Sequence, residues 1–241
     1  MAENENNYEC CEKQDMKNKR FFNSTAENLS ESKNNKMKDD KCPDQIVGDI
    51  TVTKSKTMYE PHSERENIGE KTVFASPKVI MILESPHTKE FIGKIGPAKG
   101  KTKEHMEIKN IFNEACPLHD KDKLYGMGPY LGKYPLILMN AIQYQCSLGL
   151  PPQNYRDCMF LSCWNKFGKD DLTERLRRYH RTGDIIINAC TLGTNKNKTD
   201  EAALKNLVRN AIFQDYKTNC FIVNHPCINW NTGNYGWGKF E

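Results

Sequence analysis

Four short apolar runs stand out of an otherwise polar chain: residues 78–83 (KVIMIL), 134–140 (YPLILMN), 184–190 (DIIINAC) and 219–224 (NCFIVN). Each is too short for a core helix and too continuously apolar for a strand with one wet face, so each reads as a strand buried on both sides. Between the first two, Met106, Ile108, Ile111 and Phe112 recur at helical spacing and predict a helix over 103–115. Residues 116–133 are broken by Gly126, Gly128, Pro129 and Gly132 and read as loop. After a Pro151-Pro152 break, helices are expected near 155–167 and over 170–181. The clearest amphipathic helix covers 199–216, where Leu204, Leu207, Val208, Ala211 and Ile212 share one face and Asp200-Glu201 suit the positive amino end. Strands alternating with helices predict an α/β fold, a three-layer αβα sandwich around a central, mainly parallel four-stranded sheet with right-handed crossovers.

Residues 1–70 break this pattern. They are rich in Asn, Lys, Glu and Ser and poor in apolar side chains, so they are expected to form a largely disordered tail ahead of a domain at 71–241. Phe21-Phe22 and the partly apolar stretch 46–52 are exceptions, able to dock locally or to add a short strand at the domain's edge.

Charge follows the same division. Residues 1–70 carry 11 Lys and Arg against 15 Asp and Glu, a balance of −4, while 71–241 carry the remaining 24 against 16, a balance of +8. The overall +4 therefore hides a basic domain suited to a polyanion, with Arg175, Arg177, Arg178 and Arg181 as one cluster. No stretch approaches the ~18 apolar residues of a membrane span. Ten scattered cysteines without a signal peptide point to reduced thiols in the cytoplasm. No CxxC occurs, and Cys158 and Cys163 lack a second matching pair, so no metal or cofactor is expected.

Three of the strands end in polar signatures: LESPH at 83–87, MNA at 139–141 and NHP at 224–226. In a parallel sheet these ends share one edge, the carboxyl edge where ligands of open α/β folds bind. Their order resembles the uracil-DNA glycosylase superfamily, whose first strand is followed by GQDPYH or GEAPG, a later one by LLLNAV and the last by HPSPL. Leu138-Met139-Asn140-Ala141-Ile142 is similar to the middle motif, and His225-Pro226-Cys227 to the start of the third. The resemblance covers roughly 78–230 and implies a monomeric enzyme that flips a base out of DNA and hydrolyses its N-glycosidic bond.

That chemistry builds positive charge on the sugar and negative charge on the leaving base. A carboxylate can stabilise the first, an imidazole the second, and an amide can read a base edge because it both donates and accepts. The resemblance gives these roles to Glu84, His225 and Asn140. Glu84 aligns with the Glu of GEAPG, while Ser85 stands where GQDPYH has its Asp, which leaves two registers for the carboxylate. Ser85, Pro86, His87, Ala98 and Cys227 would line the pocket.

Ile228, Asn229 and Trp230 lie where relatives wedge the helix open, although Trp230 also fits a core position. GPAKGKT at 96–102 has one residue too few between its glycines for a P-loop; it suits a loop whose Lys99 and Lys101 approach DNA phosphate. Relatives stack a Phe on uracil from this loop, whereas Pro97 and Ala98 stand here and Phe91 lies earlier. A wider pocket then favours a bulkier modified pyrimidine, such as those of phage DNA. The alternatives are an inert nucleic-acid-binding member of the same fold and a nucleotide-binding protein using the Lys-rich loop.

Overall fold

The computed structural model describes residues 41–69, 77–91, 93–98, 103–114, 116, 118, 131–146, 157, 160–193, 201, 203–216, 219–226 and 236–239. Its centre is a single mixed sheet of seven strands: β1 (Gln45–Val52), β2 (Thr57–Asn67), β3 (Val79–Leu83), β4 (Gly132–Asn140), β5 (Ile185–Asn188), β6 (Cys220–Ile222) and β7 (Gly238–Lys239). The spatial order is β2-β1-β4-β3-β5-β6-β7.

The four expected strands are all present, side by side and mutually parallel as β4-β3-β5-β6. The expectation of a four-stranded sheet is corrected by three additions. β1 runs antiparallel to β4, β2 antiparallel to β1, and β7 antiparallel to β6. The compact unit that holds the sheet runs from Lys41 to Glu241, so the domain starts thirty residues before the expected boundary at 71.

The stretch 46–52 is indeed a strand, but an inner one, paired on both sides. Its apolar positions, Val47, Ile50 and Val52, are buried. β2 escaped notice because only its first residues face the core; Glu60, Pro61, His62, Ser63 and Glu64 are exposed, as befits an edge strand. A bulge near Gly48 joins the two, and a Cβ there would lie 2.4 Å from the Glu60 carbonyl oxygen.

Two apolar clusters cover the two faces. On the first, Ile108, Ile111 and Phe112 of α1 (Lys103–Glu114) meet Val47, Val79, Met81, Leu83, Leu136 and Leu138. On the second, Leu172 and Leu176 of α2 (Lys169–Tyr179) and Leu204, Val208 and Ile212 of α3 (Leu204–Asp215) meet Ile80, Ile82, Ile137 and Met139. Alternate residues of β3 and β4 thus serve opposite cores, which is why both strands read as unbroken apolar runs.

The two helices expected on either side of 168–169 are continuous. Helical chain from Phe160 passes through a π-turn at Trp164–Gly168 directly into α2. Gly168 has ordinary helical backbone there and is required for space, since a Cβ would come within 2.0 Å of Ile142 Cδ1. At the opposite end of the strands from the motifs, fully buried Lys78 pairs with Asp184 (Nζ–Oδ2 2.5 Å), whose carboxylate also accepts the Lys78 and Arg181 amides. Burial pulls the Lys78 pKa down against the pull of this carboxylate. Among the described residues no helix is long and apolar enough to cross a membrane.

These boundaries make truncation informative. A chain beginning at Lys41 should unfold cooperatively at the full chain's midpoint in a thermal melt followed by circular dichroism. A chain beginning at Lys71 loses β1 and β2. The four buried apolar side chains of these strands, Val47, Ile50, Val52 and Tyr59, at about 1.5–3 kcal/mol each, plus two hydrogen-bonded ladders, rival a domain's whole ~5–15 kcal/mol. It should show no cooperative transition.

Candidate active site

β3 lies between β4, which follows it in the chain, and β5, which comes after that, so the parallel strands change winding direction at the β3/β5 boundary. The carboxyl ends around such a reversal form a crevice. Backbone bonds hold this edge together beyond the regular ladders. Ala141 N–H donates to the Leu83 carbonyl (2.7 Å), Ile142 N–H to Glu84 (3.0 Å), Ala189 N–H to Ile82 (2.8 Å) and Val223 N–H to Asn188 (3.1 Å).

Glu84 is the first residue past β3 and is only 3 % exposed. Its Oε2 accepts a hydrogen bond from the hydroxyl of Thr191, which follows β5, so this bond bridges the crevice. Buried thiols crowd the carboxylate. Burial, reinforced by Glu84, pushes Cys190 well above the ordinary thiol range, and Glu84 also contributes to the raised pKa of Cys146 after its bond to Cys163 and its own burial. Ser85 opposes that rise, and the Cys146 thiol donates to the Tyr144 carbonyl (3.6 Å). Pro86 is buried and His87 exposed.

Asn140 ends β4 and is 2 % exposed. Its Nδ2 donates to Cys42 Sγ at 3.5 Å, while its buried Oδ1 has no hydrogen-bond partner among the described residues. The backbone around it is held by Arg175 of α2, itself 2 % exposed. Arg175 Nη2 donates to the carbonyls of Asn140 (3.0 Å) and Ala141 (3.2 Å), Nη1 to both carboxylate oxygens of Asp44 (2.9 and 3.1 Å), and Nε to Asp171 (2.8 Å). Burial opposes the charge on Arg175, but Asp44 and Asp171 outweigh it and hold its pKa above the usual value. Gln143 Nε2 bonds the same Asp44 (3.3 Å) and its carbonyl accepts Cys42 N–H (2.9 Å), so residues 42–44 are strapped across the end of β4.

A second carboxylate shapes the loop after β3. Glu90, buried in a single 3-10 turn (Thr88–Phe91), accepts the amides of His87 (2.8 Å) and Ala98, and its carbonyl accepts Gly96 N–H (3.2 Å). Arg65 of β2 donates to the carbonyls of Pro97 and Ala98 (2.8 Å to the latter). Ala98 is pinned at a positive φ of 44°. Burial and then Glu90 push the Cys42 thiol up. A loop whose amides already serve a buried carboxylate is a poor phosphate cradle, which removes the geometric support for a P-loop over Gly96–Ala98. Phe91 is buried yet belongs to neither apolar cluster.

The pleat separates two of the expected partners. Leu83 lies opposite Asn140 in register. By alternation Asn140 continues the face of Leu138 and the first cluster, whereas Glu84 continues that of Ile82, with Cys146 and Cys190 of the second. They adjoin at the sheet edge from opposite sides. His225, half-buried, follows β6, three strand spacings or about 14 Å from β4.

Cys227, Ile228, Asn229, Trp230, Lys99 and Lys101 lie outside the described residues. The expected basic cluster is corrected at Arg175, which is buried in its ion pairs, while exposed Arg177 pairs with Asp215 (3.0 Å). Among the described residues no group of three or more His, Cys, Asp or Glu could hold a metal ion.

Sequence reasoning missed Thr191, Glu90, Cys42 and Asp44. Thr191 was signalled by the polar exit from a buried strand, as at the other three. Cys42 and Asp44 fell inside the supposed tail. Comparison with known proteins found no match among family models, curated proteins or solved structures.

Arg175→Met should leave Asp44 as an uncompensated buried carboxylate and cost about 3–5 kcal/mol in urea unfolding. Combining it with Asp44→Leu should recover most of that loss. Equal losses in the single and double variants would show that the bonds to the Asn140 and Ala141 carbonyls, not the ion pair, dominate.

Proposed function

We propose that the protein is a DNA N-glycosylase of uracil-DNA glycosylase type, acting as a cytoplasmic monomer without metal or cofactor and removing a base, a modified pyrimidine by preference, to leave an abasic site. The observation that carries this reading is the buried Oδ1 of Asn140, without a partner among the described residues, at the carboxyl edge of a parallel sheet. An amide oxygen sealed from water without a donor is costly, and a base edge offering N–H would satisfy it. The α/β class and the shared edge of the three motifs are consistent with the resemblance noted from LESPH, LMNAI and HPC.

In this reading a nucleotide straddles the sheet edge. Its flipped base meets Asn140 on one face, with Phe91 available to stack on it, and its sugar reaches Glu84 on the other. The Glu84 carboxylate stabilises the developing sugar cation, with Thr191 orienting it. His225 approaches the leaving base from the far strand. The domain from Lys41 onward carries 28 basic against 22 acidic residues, which suits a backbone-tracking partner.

A second reading, an inert base-binding member of the same fold, is favoured by one observation. The Glu84 carboxylate is buried, already bonded to Thr191, and set on the opposite face from Asn140. Mass spectrometry of bases released from uracil-containing, native and phage-modified DNA decides between the two.

Under the glycosylase reading, Glu84→Gln should lower release by roughly two to four decades while salt-sensitive DNA binding persists. Asn140→Asp should change which base is released, since an ionised carboxylate has lost the amide's donor. Binding without release from any DNA supports the inert member; absence of both sinks the nucleic-acid reading.

A further inference from the structure

The side-chain amide of Asn140 has two N–H donors and one oxygen, and the fold commits only one side of it. The partner on that side is Cys42, fully buried and 98 residues away in the chain. Its position is built. Cys42 N–H donates to the Gln143 carbonyl (2.9 Å). Two residues on, the Asp44 carboxylate is gripped by Arg175 and Gln143, and the Asp44 carbonyl accepts Ile68 N–H (2.9 Å). The chain after β4, helix α2 and the chain after β2 therefore all hold the strap that carries the thiol to the end of β4. Burial, then Glu90 and Asp44, keeps that thiol protonated, so a neutral sulfur faces the amide.

A primary amide has two orientations of nearly equal shape, related by a half-turn about its last torsion, and hydrogen bonds choose between them. Here Nδ2 donates to Cys42 Sγ at 3.5 Å, and Oδ1 is sealed from water without a partner among the described residues. Nδ2 keeps a second N–H beside the oxygen. A ligand therefore meets an acceptor and a donor in a set order, and a half-turn would reverse that order.

We propose that Cys42 is a positioning residue that sets base specificity: by holding one N–H of Asn140 it fixes the amide in the sense that takes pyrimidines of uracil type and rejects those of cytosine type. A uracil-type edge has a ring N–H beside a carbonyl, which meet Oδ1 and the free N–H of the amide. A cytosine-type edge has a bare ring nitrogen beside an amine. Against the same amide it sets acceptor on acceptor and donor on donor, leaving buried polar groups unpaired. Substituents at the far side of the ring leave this edge unchanged, so modified uracils belong to the accepted class. The role rests on Asn140 reading a base, which the glycosylase and the inert base-binding member share.

The test compares two short single-stranded DNAs, identical except for one uracil or one cytosine, by competition binding to the full chain, with base release followed alongside. The wild-type chain should bind the uracil strand roughly tenfold to a hundredfold more tightly, the range of one bidentate pair. Cys42→Ala frees the amide to turn and should shrink that ratio to about threefold or less. Cys42→Ser returns an acceptor and should restore it. Cys42→Val, closer to cysteine in volume and equally without an acceptor, replaces the alanine variant if that does not fold. Equal wild-type affinities would overturn the role. So would a ratio unchanged in the alanine or valine variant, whatever the overall affinity, since packing alone would weaken both strands together. A ratio that collapses and is rescued by serine, with no base released from these or from phage-modified DNA, keeps the role and removes the glycosylase reading. Release that retains its uracil preference in Cys42→Ala keeps the glycosylase reading and removes the role.

Discussion

The guanidinium of Arg175 is the constraint from which the candidate site is built. A cation inside a protein is stable only when its charge is met and its donors are used, and this one meets Asp44 and Asp171 while reaching the carbonyls of Asn140 and Ala141. It therefore fixes three separate pieces of chain at once: helix α2, the end of β4 and the strap that leads into β1. A lysine could neutralise Asp44 but could not span these partners, because the fork of donors does the spanning. The amide of Asn140 is consequently held through its backbone, with its side-chain oxygen left without a partner among the described residues.

Around that anchor the edge divides into two halves with different chemistry. On one side Asn140 bonds Cys42, while Glu90 and Arg65 tie the loop after β3. On the other, Glu84 is surrounded by Thr191 and the thiols of Cys146 and Cys190.

The parallel core was legible in the sequence because burial on both faces writes an uninterrupted apolar run, and 78–83, 134–140, 184–190 and 219–224 each coincide with most or all of an observed strand. β2 was not legible, since an edge strand that buries only Thr57 and Tyr59 among its eleven residues resembles a polar tail. Arg175 looked like part of a surface cluster for a related reason. Its neighbours Arg177 and Arg178 are exposed, and only the fold reveals that a position two residues earlier points inward to Asp44. Placing Asn140 at a strand end required only the apolar pattern, whereas assigning Glu84 and Asn140 to opposite faces required the register.

The polar outer half of β2 has a consequence for the molecule in a crowded solution. A sheet that ends in a regular strand offers its free backbone groups to any other extended chain. β2 ends this sheet with Glu60, Pro61, His62, Glu64 and Glu66 in succession, interrupting the donor row with an imino acid and repelling acidic neighbours. The same residues that hid the strand in the sequence therefore keep the sheet from growing by recruitment of further chains.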